Sequence, residues 1–279
     1  MRGYLRTLAL FFVFAILIVG IGQIAGHYMG LDPTASLVLF LALGLLVNFV
    51  MYFWSAKMVL RTYRARIVTP QEAPRLHRII DRVVLRSGVP KPTVAIIPGP
   101  TPNAFATGRN PKNAVVAATE GILHLLDDDE LEGVLAHEIS HVQNRDILIM
   151  TIASAFAMAI SYMAWMFLFA RNRDANPLLG LLLWILAPIA AMIIQLAISR
   201  SREFAADASG AKILGNGEPL ARALMKLEAG VNAYPMRRGD PSTASMFIVN
   251  PFRGARLQSL FRSHPRTEAR VERLRNQRL

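Results

Sequence analysis

Four long apolar runs divide this chain into alternating membrane-like and polar blocks. Residues 8–26, 35–54, 147–170 and 178–198 contain no Asp, Glu, Lys or Arg. Each approaches the roughly 20 residues that a helix needs to cross a hydrocarbon core. A single run of this kind is often a buried core helix. Four of them in 279 residues predict four membrane spans, the last kinked at Pro188. Arg2 and Arg6 ahead of the first run also fit a signal peptide ending near Ala25, but the length of the run and the short connector to the second favour an uncleaved anchor. Gly22 and Gly26 offer that anchor a surface for close helix packing.

The polar blocks carry the shorter periods of a folded domain. Residues 71–87 place Leu76, Ile79, Ile80, Val83 and Val84 at helical spacing, with Pro74 in the first turn. After Gly88 and Pro90 come three extended runs, Thr93 to Ile97, Ala104 to Thr107 and Ala114 to Ala118, with a turn at Gly108, Asn110 and Pro111. A helix from about Thr119 leads to a second one, opened by the acidic cluster Asp127 to Glu130 and continued by Leu131, Val134 and Leu135. Residues 230–256, rich in Gly, Pro, Ser and Arg, read as a mobile loop. The expected organisation is two spans in 1–54, a first polar part in 55–146, two spans in 147–198 and a second polar part in 199–279. Both polar parts emerge on one side of the membrane and are expected to build one domain, mainly α with a small β-sheet.

Composition agrees with a membrane protein, with 53% hydrophobic residues. Basic residues set its orientation. Arg2 and Arg6 precede the first span, none lies between spans one and two, and Lys57, Arg61, Arg64 and Arg66 follow. Both termini and the polar domain are therefore expected in the cytoplasm, Arg171 and Arg173 on the far side being outnumbered. The net charge of +12 comes from residues that flank spans and from the Arg253 to Arg278 tail. Anionic lipid headgroups are a simpler partner for it than nucleic acid, and none of the latter is expected. With no cysteine, the chain has neither disulfides nor thiolate ligands.

The chemistry is concentrated in His137-Glu138-Ile139-Ser140-His141. Histidines at i and i+4 share one helix face, so both rings can reach one metal, with Glu138 beside the metal's water as a general base. A catalytic zinc site takes a third protein ligand. Candidates are His77, His124, Glu203, Asp207, Glu218 and His264. If the motif helix runs on unbroken, His141 lies six residues before span three, about 9 Å, and Glu203 five residues after span four, about 7.5 Å. Equal height above the membrane selects Glu203. Asp207, one turn on, is placed either to accept a bond from the distal nitrogen of a ligating histidine or to pair with Arg200 and Arg202 on a solvated face.

HEISH, two spans and then Ser201-Arg202-Glu203-Phe204-Ala205-Ala206-Asp207 together resemble the HtpX membrane zinc metalloproteases, relatives of the CAAX prenyl-processing endoproteases. The resemblance covers nearly the whole chain. Asn103-Ala104-Phe105-Ala106-Thr107-Gly108 resembles that family's strand beside the cleft, and Ser263-His264-Pro265 its closing motif. It implies a four-span membrane protein with a gluzincin-type cytoplasmic protease domain. It implies one zinc per chain on His137, His141 and Glu203, Glu138 as general base on zinc-bound water, and His264 and Arg270 steadying the oxyanion. Substrate is expected to pair with Asn103, Ala104, Phe105, Ala106 and Thr107 as an added strand. The implied role is quality control of misfolded or damaged membrane proteins in a bacterial inner membrane. Two residues depart from the family pattern: Arg145 replaces a common Gly, and Arg266 a common Pro.

Three other readings are weaker. A scaffold keeping zinc for structure has no need of Glu138. A metal transporter needs ionisable residues inside its spans, which hold no Asp, Glu, Lys, Arg or His. The CAAX-processing branch usually has more spans.

Overall fold

The computed structural model describes residues 2–28, 30–156, 200–236, 239, 241–252 and 265–277. Helices α1 (Arg2–Tyr28) and α2 (Pro33–Thr62) form an antiparallel pair. Asp32 starts α2, its Oδ2 accepting from the N–H groups of Thr34 at 2.9 Å and Ala35 at 3.0 Å. Gly22 and Gly26 give the room for this pair: a side chain at either would meet Phe40 or Ser36. The Ser36 hydroxyl uses that space to donate to the Gly22 carbonyl at 3.2 Å. Leu37, Val38, Leu45, Leu46 and Phe49 point outward, an apolar surface suited to lipid.

Among the described residues, α2 is the helix long and apolar enough to cross a membrane. Of the third and fourth expected spans, Ile147–Phe156 is helical and the remainder lies outside the described residues.

The polar part folds around a four-stranded mixed sheet of β1 (Arg66–Ile67), β2 (Thr93–Ile97), β3 (Ala104–Gly108) and β4 (Ala114–Thr119), in the order β1-β2-β4-β3. Strands β2 and β4 run parallel, and both outer pairs antiparallel. The three longer strands fall where sequence periodicity predicts them. The two-residue β1 carries too little pattern to be read.

Helices α3 (Pro74–Ser87), α4 (Glu120–Leu125), α5 (Asp128–Gln143), α6 (Ile147–Phe156), α7 (Arg200–Leu214), α8 (Glu218–Ala233) and α9 (Thr267–Asn276) complete the described fold. The central one is α5, whose residues from Glu130 to Val142 are all buried. Its Leu131, Val134, Leu135 and Ile139 share a core with Leu76, Ile79 and Ile80 of α3, Val116 of β4, and Leu220, Leu224 and Leu227 of α8. The expected N-terminus is realised as a capping box: the Asp127 side chain accepts from Glu130 N–H at 2.9 Å, and Glu130 accepts from Asp127 N–H at 3.2 Å.

Two expectations change. The motif helix is not continuous with the next. It closes after Gln143 in a Schellman turn, with Arg145 N–H donating to Val142 O at 3.2 Å and Asp146 N–H to His141 O at 3.0 Å. Arg145 sits at the left-handed C′ position with φ of 61°, where glycine is the usual residue. Helix α6 then starts from Asp146, whose carbonyl accepts from Met150 N–H at 3.1 Å.

Nor are residues 230–256 a mobile loop throughout. Helix α8 continues to Ala233, and a 3₁₀ turn over Pro241–Met246 delivers Met246, Phe247 and Ile248 into the interior. Phe247 packs edge-on against Phe105 and Tyr63, and the Tyr63 hydroxyl meets Thr243. Polar and turn-forming neighbours hide this short apolar triplet in the sequence.

Candidate metal centre

His137 and His141 lie one turn apart on buried α5, their rings nearly perpendicular with centroids 4.8 Å apart. Helix α7 reaches them because of Gly210: a Cβ there would stand only 3.0 Å from the His137 amide nitrogen. That close approach brings Glu203 against both rings. One carboxylate oxygen lies 3.8 Å from His137 Nε2 and the other 3.6 Å from His141 Nε2. For ligand bonds of about 2.1 Å, the edge of a tetrahedron is about 3.4 Å; with one atom from each residue the three ligand atoms lie within 4.8 Å of one another, so a contraction of the site closes them around one ion. The set is buried, and its N, N, O donors suit a borderline cation. Among the described residues, these three are the group arranged to hold a metal.

Behind His137 stands Asp207, with Oδ1 2.9 Å from Nδ1. An acceptor there puts the ring proton on Nδ1 and turns the Nε2 lone pair toward Glu203. Arg270 grips the same carboxylate from the far side, with Nε 2.8 Å from Oδ2 and Nη2 2.7 Å from Oδ1, while Nη1 donates to Ile248 O at 2.8 Å. Burial alone pushes the Asp207 carboxyl up, but the Arg270 charge and hydrogen bonds overcome it and hold the pKa at about 2. Burial keeps His137 below the ordinary imidazole value.

His141 has a different neighbour that sequence reasoning missed. Its Nδ1 lies 3.6 Å from Asp146 Oδ2, and Asp146 is in turn 3.9 Å from Arg202. Burial pushes His141 down, but the carboxylates of Asp146, Glu203 and Glu138 outweigh it, leaving its pKa raised. The missed signal is Asp146 itself. An Asp directly before an apolar run is a helix N-cap, and reading it so would have broken the motif helix in the right place.

Glu138 is buried beside the ligands, and burial drives its pKa up to about 8, although it accepts a hydrogen bond from the Ala106 backbone. That bond comes from β3, the sheet edge nearest the site. Odd-numbered β3 residues face β4, as Thr119 N–H donating to Asn103 O at 2.9 Å shows, so the even-numbered ones face outward. The edge is partly covered: Ile248 N–H donates to Ala104 O at 3.2 Å, and Gly108 N–H to Thr151 Oγ1 at 3.3 Å.

Of the other candidates, His77 bonds the Val68 carbonyl at 2.9 Å, Glu218 pairs with Arg275 at 2.9 Å, and His124 lies in the last turn of α4, none of them in the metal group. His264 lies outside the described residues. Arg270 is brought to the site but behind His137, with three of its N–H groups committed to Asp207 and Ile248. That position is unlike the oxyanion contact expected of it.

Residues 70–278 match the family model described as Peptidase family M48. The chain is 50% identical over 280 residues to a "Protease HtpX homolog" of Pyrococcus abyssi, covering 98% of this chain and 95% of that one. It is 52% identical to proteins of the same name from Thermococcus kodakarensis, over 98% of this chain and 95% of that one, and Methanocaldococcus jannaschii, over 92% and 93%. A crystal structure of S. mikatae Ste24p shares the fold, with a TM-score of 0.52 and 22% identity. The alignment spans 97% of this chain and 64% of that one.

Proposed function

The chain belongs to peptidase family M48 and is an HtpX-like metalloprotease, and from that premise we propose that it is a zinc-dependent integral-membrane endopeptidase acting on misfolded or damaged membrane proteins. The observation that carries this reading is the convergence of His137, His141 and Glu203 from two separate helices, with Glu138 buried beside them.

In this reading, zinc is held by His137, His141 and Glu203. When bound, it supplies Lewis acidity that polarises the scissile carbonyl and acidifies the attacking water. Glu138 takes the proton from that water and passes it to the departing amine nitrogen. Asp207 holds His137 in the tautomer that offers Nε2. His264 and Arg270 are kept as candidate oxyanion donors, although Arg270 in its present place serves Asp207.

An extended substrate joins the outer edge of β3, where the Ala106 carbonyl lies between the covered positions at Ala104 and Gly108, the Ala106 N–H being given to Glu138. Pairing through main-chain groups favours broad sequence tolerance. The four uncharged runs, of which α2 covers the second, favour a multi-pass placement, and the basic residues after α2 favour both termini and the single protease domain, built from residues 55–146 and 199–279, on the cytoplasmic side.

The test is to purify the protein in detergent, measure bound metal and compare casein cleavage by wild type and Glu138→Gln. The expected result is full metal content with cleavage lowered by about 10²–10⁴-fold. Equal cleavage by both proteins overturns the mechanism.

A further inference from the structure

We propose that Asp146 is the positioning residue of His141, so that each histidine of the metal centre is backed by its own carboxylate and arginine. The inference rests on the ligand assignment above and extends it to residues that assignment does not use. On one side the chain of contacts runs His137, Asp207, Arg270. On the other it runs His141, Asp146, Arg202, with separations of 3.6 and 3.9 Å.

Three observations favour a built arrangement over a chance approach. First, the His141 Nδ1 is buried without a hydrogen-bond partner, and a buried donor of this kind costs on the order of 1–3 kcal/mol unless something accepts from it. The Asp146 carboxylate stands within an ångström of doing so. Second, the backbone ties the two residues together. Asp146 N–H donates to the carbonyl of His141 itself, so the Schellman turn holds the Asp146 backbone close to the residue whose Nδ1 its carboxylate approaches. This turn requires a left-handed residue at 145, and the chain keeps it with an arginine at φ of 61°. A strained residue beside a functional site is retained when its geometry is needed. Third, Arg202 directly precedes Glu203 on α7, so the cation facing Asp146 and the carboxylate facing both rings move as one unit.

Coordination at Nε2 makes the Nδ1–H a better donor, and the 3.6 Å gap is expected to close to hydrogen-bond length once a metal is in place. Asp146 then holds the ring plane and tautomer of His141 as Asp207 holds those of His137.

The test uses full-length protein in detergent, stripped of metal. Zinc affinity is measured against a competing chelator, and the visible spectrum is recorded with cobalt(II) in place of zinc. Asp146→Asn is expected to bind zinc about 10–100-fold more weakly and to shift the cobalt spectrum, with the melting temperature of the metal-free protein unchanged. Asp146→Glu, which keeps the charge and has the reach to bridge the gap, is expected to retain affinity within about threefold and guards against a folding defect in the Asn variant. One equivalent bound by wild type, with unchanged affinity and spectrum in Asp146→Asn, overturns the inference alone. No metal bound by wild type overturns the ligand assignment and the inference with it.

Discussion

Asp207 and Arg270 meet in the protein interior through two parallel hydrogen bonds of 2.7 and 2.8 Å. The pair is nearly inaccessible to water, Arg270 being 1% exposed and Asp207 3%. Removing one partner of such a pair strands a buried charge, which costs about 3–5 kcal/mol. Arg270→Ala is therefore expected to unfold at clearly lower denaturant. Arg270→Lys separates two roles, since lysine keeps the charge but not the planar fork. If Arg270 acts by orienting Asp207 and His137, the Lys variant loses metal affinity. An oxyanion donor would leave affinity intact and lower kcat alone.

Glu138 gives the metal-free protein a pH dependence. Burial raises its pKa from 4.5 to about 8 on folding, so the folded state binds more protons than the unfolded one between those values. Stability consequently falls as pH rises through that window, by up to about 5 kcal/mol. Glu138→Gln removes this contribution. Denaturant unfolding of the metal-free proteins at pH 4.5 and 8 is expected to show the variant gaining on wild type at the higher pH. A constant difference between the two would contradict the burial argument.

Gly210→Ala tests the helix crossing. The added Cβ would lie 3.0 Å from His137 N and 3.2 Å from its Cα, and backbone atoms cannot swing aside. A loss of about 1–3 kcal/mol is expected. Because α7 must shift away from α5, zinc affinity should fall as well, measured by chelator competition.

Arg145→Gly should do the opposite. Glycine adopts the left-handed φ of 61° without a Cβ clash, a relief of about 1 kcal/mol. Thermal unfolding is expected to shift upward with the metal affinity unchanged, because the turn itself is preserved.

The parts of this fold written in local patterns were legible in the sequence. The strands over Thr93–Ile97, Ala104–Gly108 and Ala114–Thr119 have β-branched or small residues between turn signals, and α5 carries a full capping box. Equal height above the membrane points to Glu203 if one unbroken helix runs on from His141. Glu203 faces both histidines in the structure, although that helix is broken at Arg145. Two features stayed hidden because they depend on contacts distant in sequence. The pairing of Arg270 is invisible until the fold sets it against a carboxylate 63 positions away in sequence. Ile248 looks like a loop residue until β3 offers it a carbonyl. Asp146 was hidden because its role follows from a turn in which a non-glycine residue occupies a glycine position.

The division of the site between α5, α7 and α9 also sets an order of events at the ribosome. His137, His141 and Glu138 are made first, and at that stage have no carboxylate to complete their set. Glu203 follows once the intervening segment has been synthesised, and the guanidinium of Arg270 comes last. The contact that Arg270 makes with Asp207 behind His137 therefore forms only after α9 has been made.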